Sequence, residues 1–147
     1  MSGSPFQIVL VEDAESDVFV IREALEQAGL AFELHVLDDG EKAVEFIAKI
    51  DSDNTLPLPC LIILDLNLPK VSGGQVLDRV RKSSRCSPIP VFILTSSDSP
   101  KDKAEIAQFG ATQYCRKSSR LDEFMSFGLA VREFLEGADR CAGVSAQ

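Results

Sequence analysis

Apolar and polar positions divide this chain into two kinds of segment. Short apolar runs rich in β-branched residues alternate with longer stretches in which apolar residues recur at helical spacing. The short runs predict five strands, at residues 6–11, 32–37, 60–64, 91–94 and 111–115. The periodic stretches predict five helices, at residues 18–28, 41–50, 73–81, 100–109 and 121–135. A polar loop at residues 51–59 and a small, polar, frayed tail at 137–147 complete the pattern.

The order of these elements predicts the fold class. Apolar runs without polar alternation are typical of parallel strands that helices cover on both faces. Five strands alternating with five helices therefore predict a doubly wound α/β fold around a five-stranded parallel sheet. Ligands of such sheets bind at the carboxyl ends of the strands, so the residues that follow each strand are the candidates for chemistry.

Polar side chains with complementary chemistry follow four of the predicted strands. Glu12 and Asp13 follow the first strand, Asp65 the third, Thr95 the fourth and Lys117 the fifth. Helix capping or surface exposure explains any one of them, but together they place three carboxylates, a hydroxyl and an ammonium at one edge. Crowded carboxylates need a cation, and an all-oxygen site suits Mg²⁺. We expect a site where Asp65 is the nucleophile for a phosphoryl group that Mg²⁺, Lys117 and Thr95 neutralise.

Composition narrows the class of protein. With 147 residues and 45% apolar content we expect one domain with one substantial core. The 15 basic and 23 acidic residues give a formal charge of −8, which disfavours nucleic-acid and anionic membrane partners. A basic leader and a long apolar span are both missing from the sequence, so we expect a cytoplasmic location and no membrane association.

The four cysteines are far apart and predict neither a zinc site nor a disulfide framework. Cys60 and Cys115 lie in apolar runs and are expected to be core thiols. Cys86 and Cys141 lie in more polar surroundings.

Four motifs occur in the order and spacing of a known family. They are VLVED at residues 9–13, LDLNLP at 64–69 with Gly73 after it, LTS at 94–96 and YCRK at 114–117. Over residues 7–135 the chain resembles the receiver domain of two-component response regulators. The resemblance implies a flavodoxin-like strand order of 2-1-3-4-5 with five helices on two faces, and a receiver domain at 6–136 between tails at 1–5 and 137–147.

The resemblance also implies residue roles. Asp65 is the phosphoacceptor, and Thr95 and Lys117 contact the acyl phosphate. Mg²⁺ is held by four residues: Glu12, Asp13, Asp65 and Asn67, the last through its backbone carbonyl. Tyr114 falls at the position of a switch aromatic that moves when Thr95 shifts, and an ordinary half-buried strand aromatic is the alternative explanation.

Receivers take their phosphoryl group from a sensor histidine kinase and signal through a downstream protein target. By resemblance, this chain is no conventional enzyme and catalyses only its own phosphorylation and slow dephosphorylation, at a rate that Asn67 and Ser97 influence. With 136–147 too short for a DNA-binding domain, we expect output through a partner protein. Ser118 stands where most receivers have proline. In this feature and in its long loop at 51–59, the chain resembles the small stand-alone regulators paired with bacteriophytochrome-type histidine kinases.

Other functions fit the residues less well. An aspartyl-phosphate hydrolase of the haloacid dehalogenase type needs an acid where this chain has Asn67. A flavodoxin-like flavin carrier needs a phosphate loop rich in Ser, Thr and Gly where this chain has Glu12 and Asp13. A degenerate receiver that acts as a phosphate-independent interaction module is the main alternative, and the intact Asp65, Thr95 and Lys117 argue against it.

The last predicted helix carries more apolar bulk than packing on one small sheet obviously requires. Its large apolar residues are Leu121, Phe124, Phe127, Val131 and Phe134. Core packing explains them, and a homodimer face shared with the fourth helix, as in many receivers, is the alternative.

Overall fold

A computed structural model describes residues 5–96, 99–117 and 120–145, with side chains as far as residue 137. Five parallel strands form one sheet in the order β2-β1-β3-β4-β5, which confirms the predicted topology. The strands are β1 (Phe6–Val11), β2 (Phe32–Leu37), β3 (Leu61–Leu64), β4 (Val91–Thr95) and β5 (Gln113–Arg116). The helices are α1 (Glu15–Gln27), α2 (Gly40–Ser52), α3 (Gly73–Lys82), α4 (Pro100–Phe109) and α5 (Leu121–Ser145).

The central strands are buried on both faces, as their continuous apolar sequence predicts. Along β1, Ile8 and Leu10 point towards the cluster formed with α1 and α5. Val9 and Val11 point to the other side, where α2, α3 and α4 supply the apolar partners. This alternation, which has a period of two along a strand, divides the core into two layers and explains why the buried part of β1, from Ile8 to Val11, contains no polar residue.

Helix α5 continues to Ser145, so the predicted frayed tail from residue 137 is wrong for the backbone over 137–145. The segment contains no proline, and Gly137 weakens a helix by about 1 kcal/mol without removing a hydrogen bond. The small, polar composition that suggested a tail is therefore compatible with helix. Within the described part of the chain, no helix is long and apolar enough to cross a membrane.

The cysteines differ from the expectation. Cys60 is exposed, because β3 begins one residue later, at Leu61, and the residues before it form a surface loop. Cys86 is fully buried, and burial raises the pKa of its thiol. Cys115 is half-buried. Apolar neighbours in sequence were thus a poor guide to burial at the ends of strands.

Close backbone packing positions the loop that begins at Asp65 and connects β3 to α3. A Cβ at Gly73 would lie 2.4 Å from the carbonyl oxygen of Asp65, and one at Gly40 would lie 1.9 Å from that of Val71. Both distances are far below van der Waals contact, so glycine is required at both positions. The loop is therefore held between the first residues of α2 and α3.

Candidate functional site

Three predicted carboxylates meet at the carboxyl edge of the sheet. Val11 pairs with Leu64 in the β1 and β3 register, so the residues that follow these strands are neighbours. One oxygen each of Glu12, Asp13 and Asp65 lie within 4.8 Å of one another. Glu12 and Asp65 are buried, with 1% and 5% of their surface exposed, whereas Asp13 is exposed.

Lys117 reaches this cluster from the end of β5. Its Nζ donates hydrogen bonds to Glu12 Oε1 at 2.6 Å, Asp17 Oδ2 at 2.7 Å and Asp65 Oδ2 at 3.0 Å. Its backbone N–H donates to the carbonyl of Thr95 at 2.7 Å, which continues the pairing of β4 with β5. An ammonium has three N–H donors, and here each has a carboxylate partner.

Asp17 is the site residue that sequence reasoning missed. It lies in the first turn of α1, where an acid is ordinarily explained by the favourable interaction of negative charge with a helix N-terminus. The order of residues contains no sign that a lysine 100 positions away would pair with it. Only the convergence of α1 and the end of β5 at the same edge shows the contact.

Burial and crowding shift the protonation of the cluster. Burial raises the pKa of Glu12 to about 7, and the charge of Asp65 adds to this effect while the Lys117 hydrogen bond opposes it. Burial also works against the charged form of Lys117, but hydrogen bonds to Asp17 and Glu12 and the charge of Asp65 outweigh it. The pKa of Lys117 is therefore raised above its usual range. The site thus holds more negative charge than one ammonium balances.

The donor set fits a hard divalent cation. Carboxylate oxygens are the protein ligands of Mg²⁺, Ca²⁺ and Mn²⁺. Asp65 Oδ1 accepts a hydrogen bond from the backbone N–H of Asn67 at 3.2 Å, and its Oδ2 contacts Lys117. Asn67 is therefore held beside the carboxylate of Asp65. A cation among the acidic residues would relieve the repulsion between Glu12 and Asp65, which adds to the effect of burial on the Glu12 pKa.

Two other predicted residues, Thr95 and Tyr114, lie on the neighbouring strands β4 and β5. Thr95, the last residue of β4, is fully buried. Tyr114 of β5 is half-buried, pairs in register with Ile93, and packs against the core layer of α2, α3 and α4. The predictions that fall on Ser97 and Ser118 lie outside the described residues.

Comparison with known proteins gives a consistent picture. The family model of the response regulator receiver domain matches residues 8–127. The response regulator Rcp1 of Synechocystis sp. (strain ATCC 27184 / PCC 6803 / Kazusa) is 32% identical over 133 residues, which cover 90% of each chain.

Solved structures agree. Phosphorylated RcpA, a cyanobacterial phytochrome response regulator, superposes with a TM-score of 0.81 at 29% identity, over 92% of this chain and 96% of its own. The Mn²⁺-bound form of Rcp1 superposes with a TM-score of 0.78 at 32% identity, over 88% of this chain and 94% of its own. The bacteriophytochrome response regulator RtBRR superposes with a TM-score of 0.70 at 33% identity, over 86% of this chain and 78% of its own.

Proposed function

The chain belongs to the response regulator receiver domain family, and from this membership we propose that Asp65 accepts a phosphoryl group from the phosphohistidine of a sensor histidine kinase. Receivers of this family act in phosphoacceptor signalling. The observation that carries the assignment to Asp65 is its place in the site. Its carboxylate is buried, touches the Lys117 ammonium at 3.0 Å, and lies within the carboxylate cluster.

The transfer is a displacement at phosphorus. An oxygen of the Asp65 carboxylate bonds to phosphorus while the bond from phosphorus to the kinase imidazole nitrogen breaks, and that nitrogen regains a proton from solvent. The products are an acyl phosphate on Asp65 and a neutral histidine. Lys117 and the hydroxyl of Thr95 contact phosphoryl oxygens, and fixed charge and hydrogen bonds of this kind stabilise the transferring group.

The resident cation in this proposal is Mg²⁺. Its ligands are Glu12, Asp13, Asp65 and the backbone carbonyl of Asn67, a set supported by the convergence of the three carboxylates. Mn²⁺ is bound by the related Rcp1. When bound, the ion neutralises the negative charge of the site and of the phosphoryl oxygens.

Loss of the phosphoryl group to water is slow in this proposal. The residue two positions beyond Asp65 is Asn67, whose amide cannot act as a general base. We also propose that this chain catalyses only its own phosphorylation and dephosphorylation.

Thr95 and Tyr114 form the switch. A shift of Thr95 towards the phosphoryl group would vacate space on the β4 and β5 side of the sheet, and the half-buried ring of Tyr114 would move inward. The surface formed by α4, β5 and α5 would then change its shape for a downstream protein target.

The kinase partner is proposed to be of the bacteriophytochrome type. RcpA and RtBRR have the same fold as this chain, with 29% and 33% sequence identity to it. Both are phytochrome response regulators. Transfer from such a kinase should be faster than from unrelated histidine kinases at equal concentration. Equal rates would contradict this pairing.

A homodimer through α5 and α4 is part of the proposal. Phe124, Phe127 and Val131 are buried in the core, so a dimer face on α5 would have to use other residues. Leu121 and Leu129 are 63% and 50% exposed on α5. Sedimentation with and without phosphodonor tests this face. A concentration-independent monomer mass in both states would exclude it.

The central experiment treats the protein with Mg²⁺ and acetyl phosphate or beryllofluoride. The parent protein should gain the mass of one phosphoryl group, or change its amide spectrum with beryllofluoride, whereas Asp65→Asn should not. An unchanged parent, or an equal change in Asp65→Asn, would overturn the proposal and favour a phosphate-independent interaction module.

A further inference from the structure

The Lys117 ammonium has one partner outside the expected metal and phosphoryl residues. Glu12 and Asp65 belong to that set, whereas Asp17 comes from the first turn of α1 and contacts Nζ at 2.7 Å. Side-chain exposure is 9% for Lys117 and 32% for Asp17, so Asp17 is more accessible to solvent than the ammonium that it contacts. Nothing in the proposed phosphoryl chemistry uses this contact.

Phosphorylation would change the other two contacts of Lys117. One oxygen of Asp65 becomes part of the acyl phosphate, and a phosphoryl oxygen takes over as the hydrogen-bond acceptor. Glu12 has to serve the cation as well as the ammonium. Asp17 is the acceptor whose oxygen neither the phosphoryl group nor the cation requires.

We propose that Asp17 is a positioning residue that anchors the Lys117 ammonium over Asp65 in both the free and the phosphorylated states. This inference rests on the proposed function. With one N–H bound by Asp17, the flexible lysine side chain keeps its direction when the contact to Asp65 is exchanged for one to a phosphoryl oxygen. Less conformational entropy is then lost when the phosphoryl group binds.

The sign of a mutational effect distinguishes anchoring from charge alone. Asp17 adds a negative charge to an already acidic site, so its removal should strengthen the binding of an anionic phosphoryl mimic if charge were its only contribution. Loss of an anchor has the opposite effect, because Lys117 must then be ordered by the ligand itself.

The test compares Asp17→Asn with Glu15→Gln in titrations with Mg²⁺ and beryllofluoride, followed by amide spectra. Glu15 is an exposed acid of the same helical turn, so its variant removes a nearby charge without touching Lys117. We expect binding about tenfold weaker in Asp17→Asn and unchanged within about twofold in Glu15→Gln. The ¹⁵N signal of Lys117 Nζ should shift or broaden in Asp17→Asn before any ligand is added.

Binding in Asp17→Asn that equals or exceeds that of the parent protein would overturn the inference, as would an unchanged Lys117 Nζ signal. Asp17→Glu keeps the charge on a longer side chain and should bind within about threefold of the parent. If Asp17→Glu weakened binding as much as Asp17→Asn does, that result would also contradict the anchoring role. Failure of the parent protein itself to bind beryllofluoride would contradict the proposed function, and the two failures are therefore distinguishable.

Discussion

The Nζ of Lys117 lies 2.6 Å from Oε1 of Glu12, although 105 positions separate the two residues in the sequence. Both side chains are nearly inaccessible to solvent, with 9% and 1% exposed. The pair joins the end of β5 to the end of β1 across the carboxyl edge of the sheet. Buried pairs of this kind are costly to break, because the remaining charge loses its partner but stays out of water.

Replacing Lys117 with methionine should therefore lower the stability of the metal-free protein. We expect the free energy of unfolding to fall by about 3 kcal/mol, because Glu12, Asp17 and Asp65 lose their shared cation. Urea unfolding in the presence of a chelator measures the loss, and added Mg²⁺ should recover part of it by neutralising the same carboxylates. Lys82→Met is the control, since Lys82 is 72% exposed and its loss should change stability by less than about 0.5 kcal/mol. Equal effects of the two substitutions would contradict the prediction.

Removing Asp13 should separate metal binding from stability. The side chain is exposed, so Asp13→Asn should cost the metal-free protein less than about 0.5 kcal/mol. At a Mg²⁺ concentration a hundred times its Kd, the parent protein should gain about 2.7 kcal/mol, and Asp13→Asn should gain less than half as much at that concentration. Thermal unfolding with and without Mg²⁺ measures both values.

The control for Asp13→Asn is Glu33→Gln. Glu33 is an exposed acid of β2 that pairs in register with Gln7, towards the opposite end of the strands. Its removal should leave the Mg²⁺ gain unchanged. A full gain in Asp13→Asn would remove Asp13 from the metal ligands.

Tyrosine emission should report the proposed switch. Tyr114 is the one tyrosine of the sequence, which has no tryptophan, so emission comes from this position. Beryllofluoride with Mg²⁺ should make the ring less accessible to acrylamide quenching, because the half-buried side chain moves inward. Asp65→Asn should show no change on the same additions. Unaltered quenching in a parent protein whose amide spectrum does respond would exclude Tyr114 from the switch.

Gly40 should tolerate no side chain. A methyl group there would meet the carbonyl oxygen of Val71 at 1.9 Å, and relief requires movement of the loop that carries Asp65. We expect Gly40→Ala to lower the free energy of unfolding by about 3 kcal/mol, at the upper end of overpacking costs. Gly137→Ala is the matched control, because a Cβ there has nothing within 4 Å among the described residues. That helical substitution should stabilise by up to about 1 kcal/mol, and a similar loss in both variants would contradict the packing argument.

The fold could be predicted from sequence because its signal is local. The strand at Phe6–Val11 and the helix at Pro100–Phe109 occur at the predicted bounds. A continuous apolar run requires burial on both faces, and helical periodicity requires one apolar face, whatever the rest of the chain does. Errors occurred where local pattern is weak, as at Cys60, where a strand meets a loop, and along 137–145, where small residues suit a helix as well as a tail.

The sequence by itself determined the fold class, the family, and the placement of Glu12, Asp13, Asp65, Thr95 and Lys117 at the ends of their strands. Parallel strands share one carboxyl edge, so order along the chain is enough to bring these residues to it. Tertiary structure alone decided that Asp17 shares the Lys117 ammonium and that Glu12 is buried deeply enough to raise its pKa to about 7. Both depend on distances and solvent exclusion between segments far apart in the chain, which no local pattern of residues encodes.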